Sequence, residues 1–527
     1  MQQEPLIARL VRWARANPRA ALQSVLAFLL QGILGAALGG VFVFGPLNLN
    51  GSAWPTAGAV TAGLVFGGVT LRQKILAVLG PPETARRWRR TVNGGSAFLA
   101  ASLALLTLVQ LYLAGLVPAP FLSRKAEFNH LWQALAIHYP YFEQKGIDWE
   151  EVRERYAPRV AAAAGDDQAY FALVREMLAE LNDAHTALVV PRPVERYLLG
   201  FAREIEGQAV ITWVRDDIAA PGLERGAVAL ARDGLPVEEY LETLAPWLYS
   251  GSTRRQQRQN AISALLSAAA GETFTLEYLD PQDNRHEAVL TGAPPAGAPA
   301  SGSVINESET GPDSPIITGK LLGSGIGLIE IPTFGAGRGV DLVAQFDAAL
   351  DSLRGVPGLI IDLRKNGGGS TLISDQIAGR LLAEPFVYGK EYYTVPLPVR
   401  GWARTYRYQV KPRGETYTGP VALLTDVFTM STAENFVVAL KDAERAVLVG
   451  RPTAGSSGNP LYFVLRGGGA RFSTGDFRRN DGTPIEGIGL HPHILVELTR
   501  DGVIRGEDPD ITAAENYLLT RIGDTAY

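Results

Sequence analysis

Cysteine is absent from this chain of 527 residues. The protein therefore has no disulfide framework, no thiolate nucleophile and no cysteine-based metal site, while its compartment is left open. Two nucleotide-binding patterns are also missing. The glycine-rich turn of the chain is not completed by the Lys-Ser/Thr of a P-loop, and no dinucleotide-binding fingerprint occurs. We therefore predict no cofactor and no metal.

Charge is missing from two long stretches near the start of the sequence. No charged residue occurs in residues 20–71, and none occurs in residues 97–117. A membrane-spanning helix takes roughly 20 apolar residues, so the first stretch fits two helices separated near residues 46–55, and the second fits one more. We predict that residues 1–119 form an all-α transmembrane anchor with three spans, which makes the lipid bilayer a partner of the chain.

Basic residues around these stretches predict the orientation of the anchor. They precede the first span and fill the segment between the second and third spans: Arg9, Arg12, Arg15, Arg19, Arg72, Lys74, Arg86, Arg87, Arg89 and Arg90. Because positive charge favours the cytoplasmic side, the chain after Val117 is expected outside the cytoplasm, in a multi-pass protein of the cell membrane. The glycine-rich residues 56–71 leave a re-entrant segment open, whereas the length of the first apolar run disfavours a cleavable signal peptide.

The remaining charge is unevenly distributed. Residues 1–90 hold ten Lys/Arg against two Asp/Glu, so the formal net charge of −5 leaves −13 for the rest of the chain. A basic front with an acidic body argues against nucleic acid as a partner.

The second half of the chain predicts an α/β core. Residues 326–331, 358–364 and 420–425 have the apolar character of buried strands, and residues 341–353 have that of a helix. This alternation implies a mostly parallel sheet with helical cover, which binds ligands at the carboxyl ends of its strands. One strand ends in the turn Asn366-Gly-Gly-Gly-Ser370, whose backbone N–H groups suit an anion or an oxyanion.

Ser431 follows the strand at residues 420–425 and opens the next predicted helix. Apolar residues recur behind it at helical spacing, namely Ala433, Phe436, Val437 and Leu440. Helix capping is the commoner role for such a serine. The glycine-rich turn, His185 after a helix that ends at Asn182, and Glu486 on the returning arm of a hairpin favour a nucleophile. A lone loop histidine is more often solvated, and a lone glutamate is more often a surface carboxylate.

The middle of the chain predicts helices over residues 128–182 and a β-rich module over residues 196–293. Within the module, Gly222-Leu-Glu-Arg-Gly226 and the strand and Asp-Gly turn that follow resemble a PDZ domain, although a helical stretch at residues 246–269 is inserted. Such domains add a chain terminus to a sheet edge, so Gly222, Leu223 and Gly226 are predicted to bind substrate. A small β domain without a ligand is the alternative. Residues 294–315 have the composition of a linker.

Several segments together resemble serine peptidases of the C-terminal processing peptidase and tricorn core protease family. They occur in family order: residues 128–148, 181–186 (Leu-Asn-Asp-Ala-His-Thr), 362–369 (Asp-Leu-Arg-Lys-Asn-Gly-Gly-Gly), 431–434 (Ser-Thr-Ala-Glu) and 485–492 (Ile-Glu-Gly-Ile-Gly-Leu-His-Pro). The resemblance implies a ClpP/crotonase-type protease core at residues 316–527. It also implies a helical cap at residues 120–195 that carries the catalytic histidine, and a PDZ-like module.

The resemblance also implies the site residues and the substrate. One branch of the family uses a lysine about 25 residues after the serine, where this chain has Ser456 and Ser457. The other branch is tricorn-like and implies Ser431 as nucleophile, His185 as base and Glu486 as its partner. Backbone N–H groups of Thr432, Gly367 and Gly368 would form the oxyanion hole. His493, where relatives usually have Asp, is taken as structural.

The expected activity is that of a membrane-anchored serine endopeptidase acting on peptides or proteins outside the cytoplasm, near their C-termini. A homo-oligomer is compatible with this architecture. Two alternatives remain: a catalytically inactive family member that binds hydrophobic ligands or peptides, and a crotonase-like coenzyme A enzyme. The second lacks an evident site for the phosphates of the cofactor.

Overall fold

The computed structural model describes residues 123–163, 165–190, 196–294, 315–335, 337, 339–394 and 403–525. The transmembrane anchor predicted for residues 1–119 lies outside these ranges, as does almost all of the predicted linker. Within them, no helix combines the length and the apolar character that crossing a bilayer requires.

The first described segment is helical, as predicted. Its helices are α1 (Arg124–His138), α2 (Phe142–Lys145), α3 (Trp149–Ala162) and α4 (Asp167–Ala179). Ser123, Asp148 and Asp166 begin three of them by accepting backbone N–H groups of the first turn, which stabilises a helix start. The apolar faces predicted for α3 and α4 are buried. The last helix ends at Ala179 rather than at Asn182, so the predicted boundary is three residues late.

The middle segment contains short strands and two helices. In chain order they are β1 (Ala187–Val189), β2 (Arg196–Leu198), β3 (Gly200–Ile205), β4 (Gln208–Val214), β5 (Val228–Arg232), β6 (Leu235–Pro236), α5 (Val237–Thr243), a 3-10 turn (Pro246–Leu248), α6 (Arg254–Ala264), β7 (Ser267–Ala269), β8 (Thr273–Leu279) and β9 (Arg285–Thr291). Strands β3-β4-β5-β8-β9 form an antiparallel sheet in that order. The inserted helical stretch predicted from the sequence corresponds to α6.

The core follows with alternating strands and helices. These are β10 (Thr318–Leu321), β11 (Gly327–Glu330), α7 (Leu342–Ser352), β12 (Leu359–Asp362), α8 (Thr371–Ala378), β13 (Phe386–Thr394), β14 (Ala403–Val410), β15 (Val421–Thr425), α9 (Thr432–Asp442), β16 (Ala446–Gly450), β17 (Leu461–Leu465), β18 (Gly468–Phe472), β19 (Gly475–Arg479), β20 (Ile494–Leu495), α10 (Arg500–Arg505) and α11 (Pro509–Thr525). The predicted core strands and the helix at residues 341–353 are confirmed within a few residues.

The central sheet has the strand order β10-β11-β12-β15-β16-β20. Its strands are parallel except for β10, which is antiparallel to β11. Successive residues of a strand point to opposite faces, and both faces are covered here. Ile361 and Leu423 belong to the apolar cluster with α7, α8 and α9, whereas their neighbours Ile360 and Leu424 belong to the cluster with α11. This two-sided burial explains why the strands are continuously apolar.

Two connections meet at the carboxyl edge of this sheet. Strand β12 leads into the Asn366–Ser370 turn, and the neighbouring strand β15 leads into Ser431. The backbone N–H of Met430 donates to the Asn366 carbonyl at 3.1 Å, and the Thr432 hydroxyl donates to the Gly369 carbonyl at 2.8 Å. The predicted juxtaposition of the glycine-rich turn and the serine is confirmed.

The position predicted for Glu486 needs correction. After β19 the chain turns back and pairs with that strand only through one isolated bridge, between Arg478 and Pro484. Glu486 therefore lies in a turn beyond the hairpin. Gly487 and Gly489 both have φ of +75°, a conformation that ends an extended strand and that glycine adopts readily. The two glycines therefore keep the chain after Glu486 from continuing as a strand.

Candidate active site

Ser431 occupies a strained backbone position at the start of α9. Its φ is +58° and its ψ is −125°, a region that residues other than glycine rarely adopt. Its backbone N–H donates to the Ser456 carbonyl at 2.9 Å and to Glu434 Oε2 at 3.2 Å. These bonds hold the sharp turn between β15 and α9.

The hydroxyl of Ser431 faces a histidine. Ser431 Oγ lies 3.0 Å from His185 Nε2, although the two residues are 246 positions apart in the sequence. The helix-capping alternative therefore applies to the backbone of Ser431, whose N–H is bonded by Glu434, and the hydroxyl remains at hydrogen-bond distance from a base. This is the geometry that general-base activation of a serine needs.

Glu434, in the first turn of α9, fixes the loop that surrounds the serine. Its side chain is fully buried and accepts backbone N–H groups from Gly455 and Ser456, each at 2.9 Å. It also accepts the hydroxyl of Thr453. Burial raises the pKa of Glu434 to about 7, and the hydrogen bonds oppose that rise. The Ser-x-x-Glu spacing of a capping box was visible in the sequence.

His185 is presented by a tight loop after α4. The carboxylate of Asp183 accepts the backbone N–H of His185 at 2.8 Å and the hydroxyl of Thr186 at 2.8 Å. From the other side, Arg471 Nε donates to the His185 carbonyl at 3.0 Å. These bonds fix the backbone of the loop and leave the imidazole directed at Ser431.

The imidazole of His185 is buried, with 5% of the residue exposed. Burial lowers its pKa to about 4, because the charged imidazolium loses hydration, while the negative charge of Asp183 acts in the opposite direction. Its Nδ1 atom has no hydrogen-bond partner among the described residues. A neutral imidazole is the form that can accept the proton of Ser431.

Glu486 is buried completely and is engaged by two other groups. Its Oε1 atom accepts from Lys145 Nζ at 2.7 Å, and its Oε2 atom accepts from the Ser457 backbone N–H at 2.8 Å. Burial, followed by the charge of Asp183, raises its pKa to about 8, and Lys145 lowers it. The structure thus brings Ser431 and His185 into direct contact, while the bonds of Glu486 go to Lys145 and Ser457.

The predicted oxyanion donors differ in availability. The Gly368 N–H donates to Asn366 Oδ1 at 2.9 Å, so Gly368 is corrected from a donor to a shaping residue. A Cβ at Gly368 would lie 2.8 Å from Ser431 Cβ, which explains the need for glycine. The N–H groups of Gly367 and Thr432 show no acceptor among the described residues and remain candidates for the oxyanion hole.

The loop predicted to bind substrate is used within the protein. The N–H of Leu223 donates to the Ala220 carbonyl at 3.2 Å, and that of Gly226 donates to the Ile211 carbonyl at 2.8 Å. A Cβ at Gly226 would lie 2.3 Å from a side-chain atom of α10. Gly226 is therefore packed under α10, whereas a Cβ at Gly222 would meet Asp280 and His286. The N–H groups of Leu223 and Gly226 are used within the protein, and the capture of a chain end by this loop stays a prediction.

The lysine alternative finds no support at the expected place. Ser456 and Ser457 are buried there, and the Ser456 hydroxyl donates to Gln256 Oε1 at 3.0 Å. Sequence reasoning missed a different lysine, Lys145, which contacts Glu486 from the helical segment. It lies in a stretch that resembles the family, but the sequence contains no spacing that links it to a residue 341 positions away. His493 Nδ1 accepts the Leu448 N–H at 2.9 Å, as a structural histidine would.

In the part of the chain that the structure describes, no three His, Asp or Glu side chains are grouped so as to hold a metal ion.

Two segments of the chain match models of known protein families. Residues 325–496 match the model of peptidase family S41, and residues 120–179 match the tricorn protease C1 domain. The chain is similar to a tricorn protease homolog of Streptomyces coelicolor, 26% identical over 336 residues, which are 59% of this chain and 24% of that protein. It is also similar to a carboxyl-terminal-processing protease of Synechocystis, 25% identical over 368 residues, which cover 66% of this chain and 75% of that protein.

The chain spans about a quarter of the length of the first curated relatives that it matches. Among solved structures, it is similar to mature CPAF, with a TM-score of 0.61 and 18% sequence identity. The match covers 76% of this chain and 98% of that one. This likeness concerns the fold, which is a mixed α/β protease fold.

Proposed function

We propose that this chain, whose residues 325–496 belong to peptidase family S41, is a serine endopeptidase. The observation that carries the proposal is the 3.0 Å distance between Ser431 Oγ and His185 Nε2. The pair lies at the carboxyl edge of a parallel sheet, beside a glycine-rich turn. A nucleophile, a base and oxyanion donors at one sheet edge are what acyl transfer requires.

The proposed reaction begins when Ser431 Oγ attacks a peptide carbonyl carbon and His185 Nε2 takes the hydroxyl proton. The oxyanion accepts hydrogen bonds from the N–H groups of Gly367 and Thr432. The C–N bond then breaks as the imidazolium returns the proton to the leaving amine, and water hydrolyses the acyl-enzyme by the same route. Glu486 is the third member of the proposed Ser-His-Glu triad and would stabilise the imidazolium by its charge, together with Asp183, whose charge raises the pKa of His185.

We further propose that the substrates are polypeptides cut near their C-termini. The printed names of relatives, such as the carboxyl-terminal-processing protease, support this choice. The middle module is inferred to be PDZ-like, and the core to be of the ClpP/crotonase type. In the sheet of the module, β3 is an edge strand, which is where a PDZ-like module adds a chain terminus. One backbone carbonyl of this strand, that of Ala202, already accepts a hydrogen bond from Gln259 Nε2 of α6 at 2.9 Å.

Location is proposed from the sequence. The uncharged residues 20–71 and 97–117 favour a membrane anchor, and the flanking arginines favour an extracytoplasmic protease domain. A membrane surface would then bring the active site close to secreted or membrane-bound polypeptides.

The test of the proposed activity is labelling with a fluorophosphonate probe together with cleavage of an unfolded casein substrate. Wild type should be labelled and active, Ser431→Ala should be neither, and Ser352→Ala, on the exposed surface of α7, should match wild type. Equal absence of labelling in wild type and Ser431→Ala would refute the peptidase proposal. Peptides with a free or an amidated C-terminus, cleaved at equal rates, would refute the preference for chain ends.

A further inference from the structure

Lys145 joins two separate parts of the active site. It is the last residue of α2, and its Nζ atom lies 2.6 Å from the Asn182 carbonyl oxygen and 2.7 Å from Glu486 Oε1. Asn182 begins the loop that presents His185. The ammonium group, whose side chain is only 11% exposed, therefore ties the loop of the base to the buried carboxylate.

The rest of α2 and the residue before it strengthen this connection. Gln144 Nε2 donates to the backbone carbonyl of Glu486 at 2.7 Å, so adjacent side chains of α2 hold both the backbone and the carboxylate of one residue. Tyr141, just before the helix, donates its hydroxyl to the Gly475 carbonyl at 2.7 Å. The helical segment is thus fixed on the core where Lys145 reaches the site.

The groups around Glu486 make its charge dependent on Lys145. Asp183, Tyr139 and Tyr141 face the same region, and the negative charge of Asp183 raises the pKa of Glu486, as burial does. Lys145 lowers that pKa by its charge and by its hydrogen bond. It is the cation bonded to this carboxylate, and without it the protonated form would be favoured.

The same cation acts on His185. The positive charges of Arg471 and Lys145 both lower the pKa of His185, and Asp183 raises it. Loss of the charge of Lys145 therefore raises the pKa of both the base and the carboxylate. Since the proposed reaction needs a neutral His185 and an ionised Glu486, both changes move the acid limb of activity towards higher pH.

We propose that Lys145 is a positioning residue of this protease, which fixes the Glu486 carboxylate relative to the His185 loop and favours its ionised form. The inference rests on the proposed peptidase function. Lys145 does not act as the base, because its Nζ atom is bonded to Glu486 and Asn182, while Ser431 Oγ is already 3.0 Å from His185 Nε2. A lysine in this role supports a histidine mechanism instead of replacing it.

The first experiment compares the pH dependence of kcat and kcat/KM in wild type, Lys145→Met, Lys145→Arg and the control Lys125→Met, which changes an exposed lysine of α1. An opposite charge at this distance shifts a pKa by about 1 to 3 units. Lys145→Met should therefore move the acid limb of kcat/KM upwards by about one unit or more, and should lower kcat at pH 7 by about tenfold or more. KM should change little, Lys145→Arg should restore part of the loss, and Lys125→Met should match wild type.

A double-mutant cycle tests whether Lys145 acts through Glu486. In the Glu486→Gln background, Lys145→Met should change kcat at pH 7 by less than about twofold. The carboxylate is then gone, and the remaining effect of Lys145 is on His185, whose pKa of about 4 lies well below 7. An undiminished effect in that background would overturn the proposal. So would a wild-type pH profile in Lys145→Met.

The absence of cysteine in the chain permits a second measurement, in which two alkylated products of one variant are compared. Lys145→Cys can be alkylated at that position alone, with 2-bromoethylamine to restore an ammonium group or with iodoacetamide to leave the side chain neutral. Recovery of the acid limb with the first reagent only is the expected result, and equal behaviour of the two products would contradict it. An inactive wild type would instead refute the peptidase function itself.

Discussion

At the scale of single residues, the geometry assigns distinct tasks to the two partners of Ser431. His185 contacts the hydroxyl directly, whereas Glu434 holds the backbone N–H and the loop of Gly455 and Ser456. A serine with φ of +58° needs such support, because its backbone conformation is unfavourable on its own. His185 thus serves the chemistry of the Ser431 hydroxyl, and Glu434 stabilises the strained backbone of the same residue.

This division predicts the kinetic behaviour of the Ser431–His185 pair. Ser431→Ala and His185→Ala should each lower kcat by about 10⁴-fold or more, and the double variant should be little worse, because the two groups act as a unit. Glu486→Gln should cost less than either. Single-turnover and steady-state cleavage of one fluorogenic peptide would measure these losses.

The matching control is a serine that lies beside the site without facing His185, such as Ser456, whose hydroxyl is bonded to Gln256. Ser456→Ala should retain far more activity than Ser431→Ala. Full activity in His185→Ala would show that another base operates, and strictly additive losses in the double variant would show that the pair does not act together.

At the scale of elements, the active site is formed by turns that connect strands to helices. The apolar strands that position these turns could be predicted from the sequence. Strands β12 and β15 are buried on both faces, so their continuous apolar runs indicated a parallel sheet and brought Ser431 beside the glycine-rich turn. The turn at Glu486 was not predicted, because the pairing stops at the bridge between Arg478 and Pro484 and the chain turns beyond it. The packing of Gly226 under α10 joins segments more than 270 positions apart, as the Arg500 bond to its carbonyl shows.

The glycine-rich turn gives a prediction at this scale. Gly368 has φ of +98°, and an added Cβ would lie 2.8 Å from Ser431 Cβ and 3.0 Å from the Thr432 nitrogen. Gly368→Ala should therefore displace the nucleophile and lower kcat by about 100-fold, since displacements near 1 Å can cost that much. Steady-state kinetics, with thermal unfolding measured in parallel, would separate this effect from loss of fold.

Two other glycines make the comparison specific. Gly367→Ala keeps the backbone N–H, and its Cβ meets nothing within 4 Å, so it should cost clearly less. Gly323→Ala, in the turn between β10 and β11, has similar space and should match wild type. Equal losses of kcat for Gly367→Ala and Gly368→Ala would mean that the contact of the added Cβ with Ser431 is not the cause of the loss.

At the scale of the whole molecule, the active site is assembled from distant parts of the chain. Lys145 lies in the segment that matches the tricorn protease C1 domain, and His185 follows that segment closely. Ser431 and Glu486 both lie in the segment that matches the peptidase model. Segments separated by about 250 to 340 positions must therefore dock before the site exists. The residues of the site were predictable one by one, but the bond between Lys145 and Glu486 depends on this docking.

The anchor predicted for residues 1–119 would set the orientation of the protease domain relative to a membrane. Four arginines before the first uncharged run and six Lys/Arg before the last one favour the cytoplasmic side for both groups. Fusions to alkaline phosphatase, which is active only outside the cytoplasm, and to green fluorescent protein, which folds inside, should therefore alternate along the chain. We expect phosphatase activity at residues 50 and 122, and fluorescence at residue 80.

Removal of positive charge should weaken this arrangement for a defined reason. Translocating the segment between the second and third spans is costly mainly because of its Lys/Arg, so neutralising Arg86, Arg87, Arg89 and Arg90 should produce mixed reporter signals at residue 122. Neutralising the same number of acidic residues after residue 123 should have little effect, since Asp and Glu contribute little to orientation. A fusion at residue 122 that fluoresces and lacks phosphatase activity would contradict three spans and would place the protease domain in the cytoplasm.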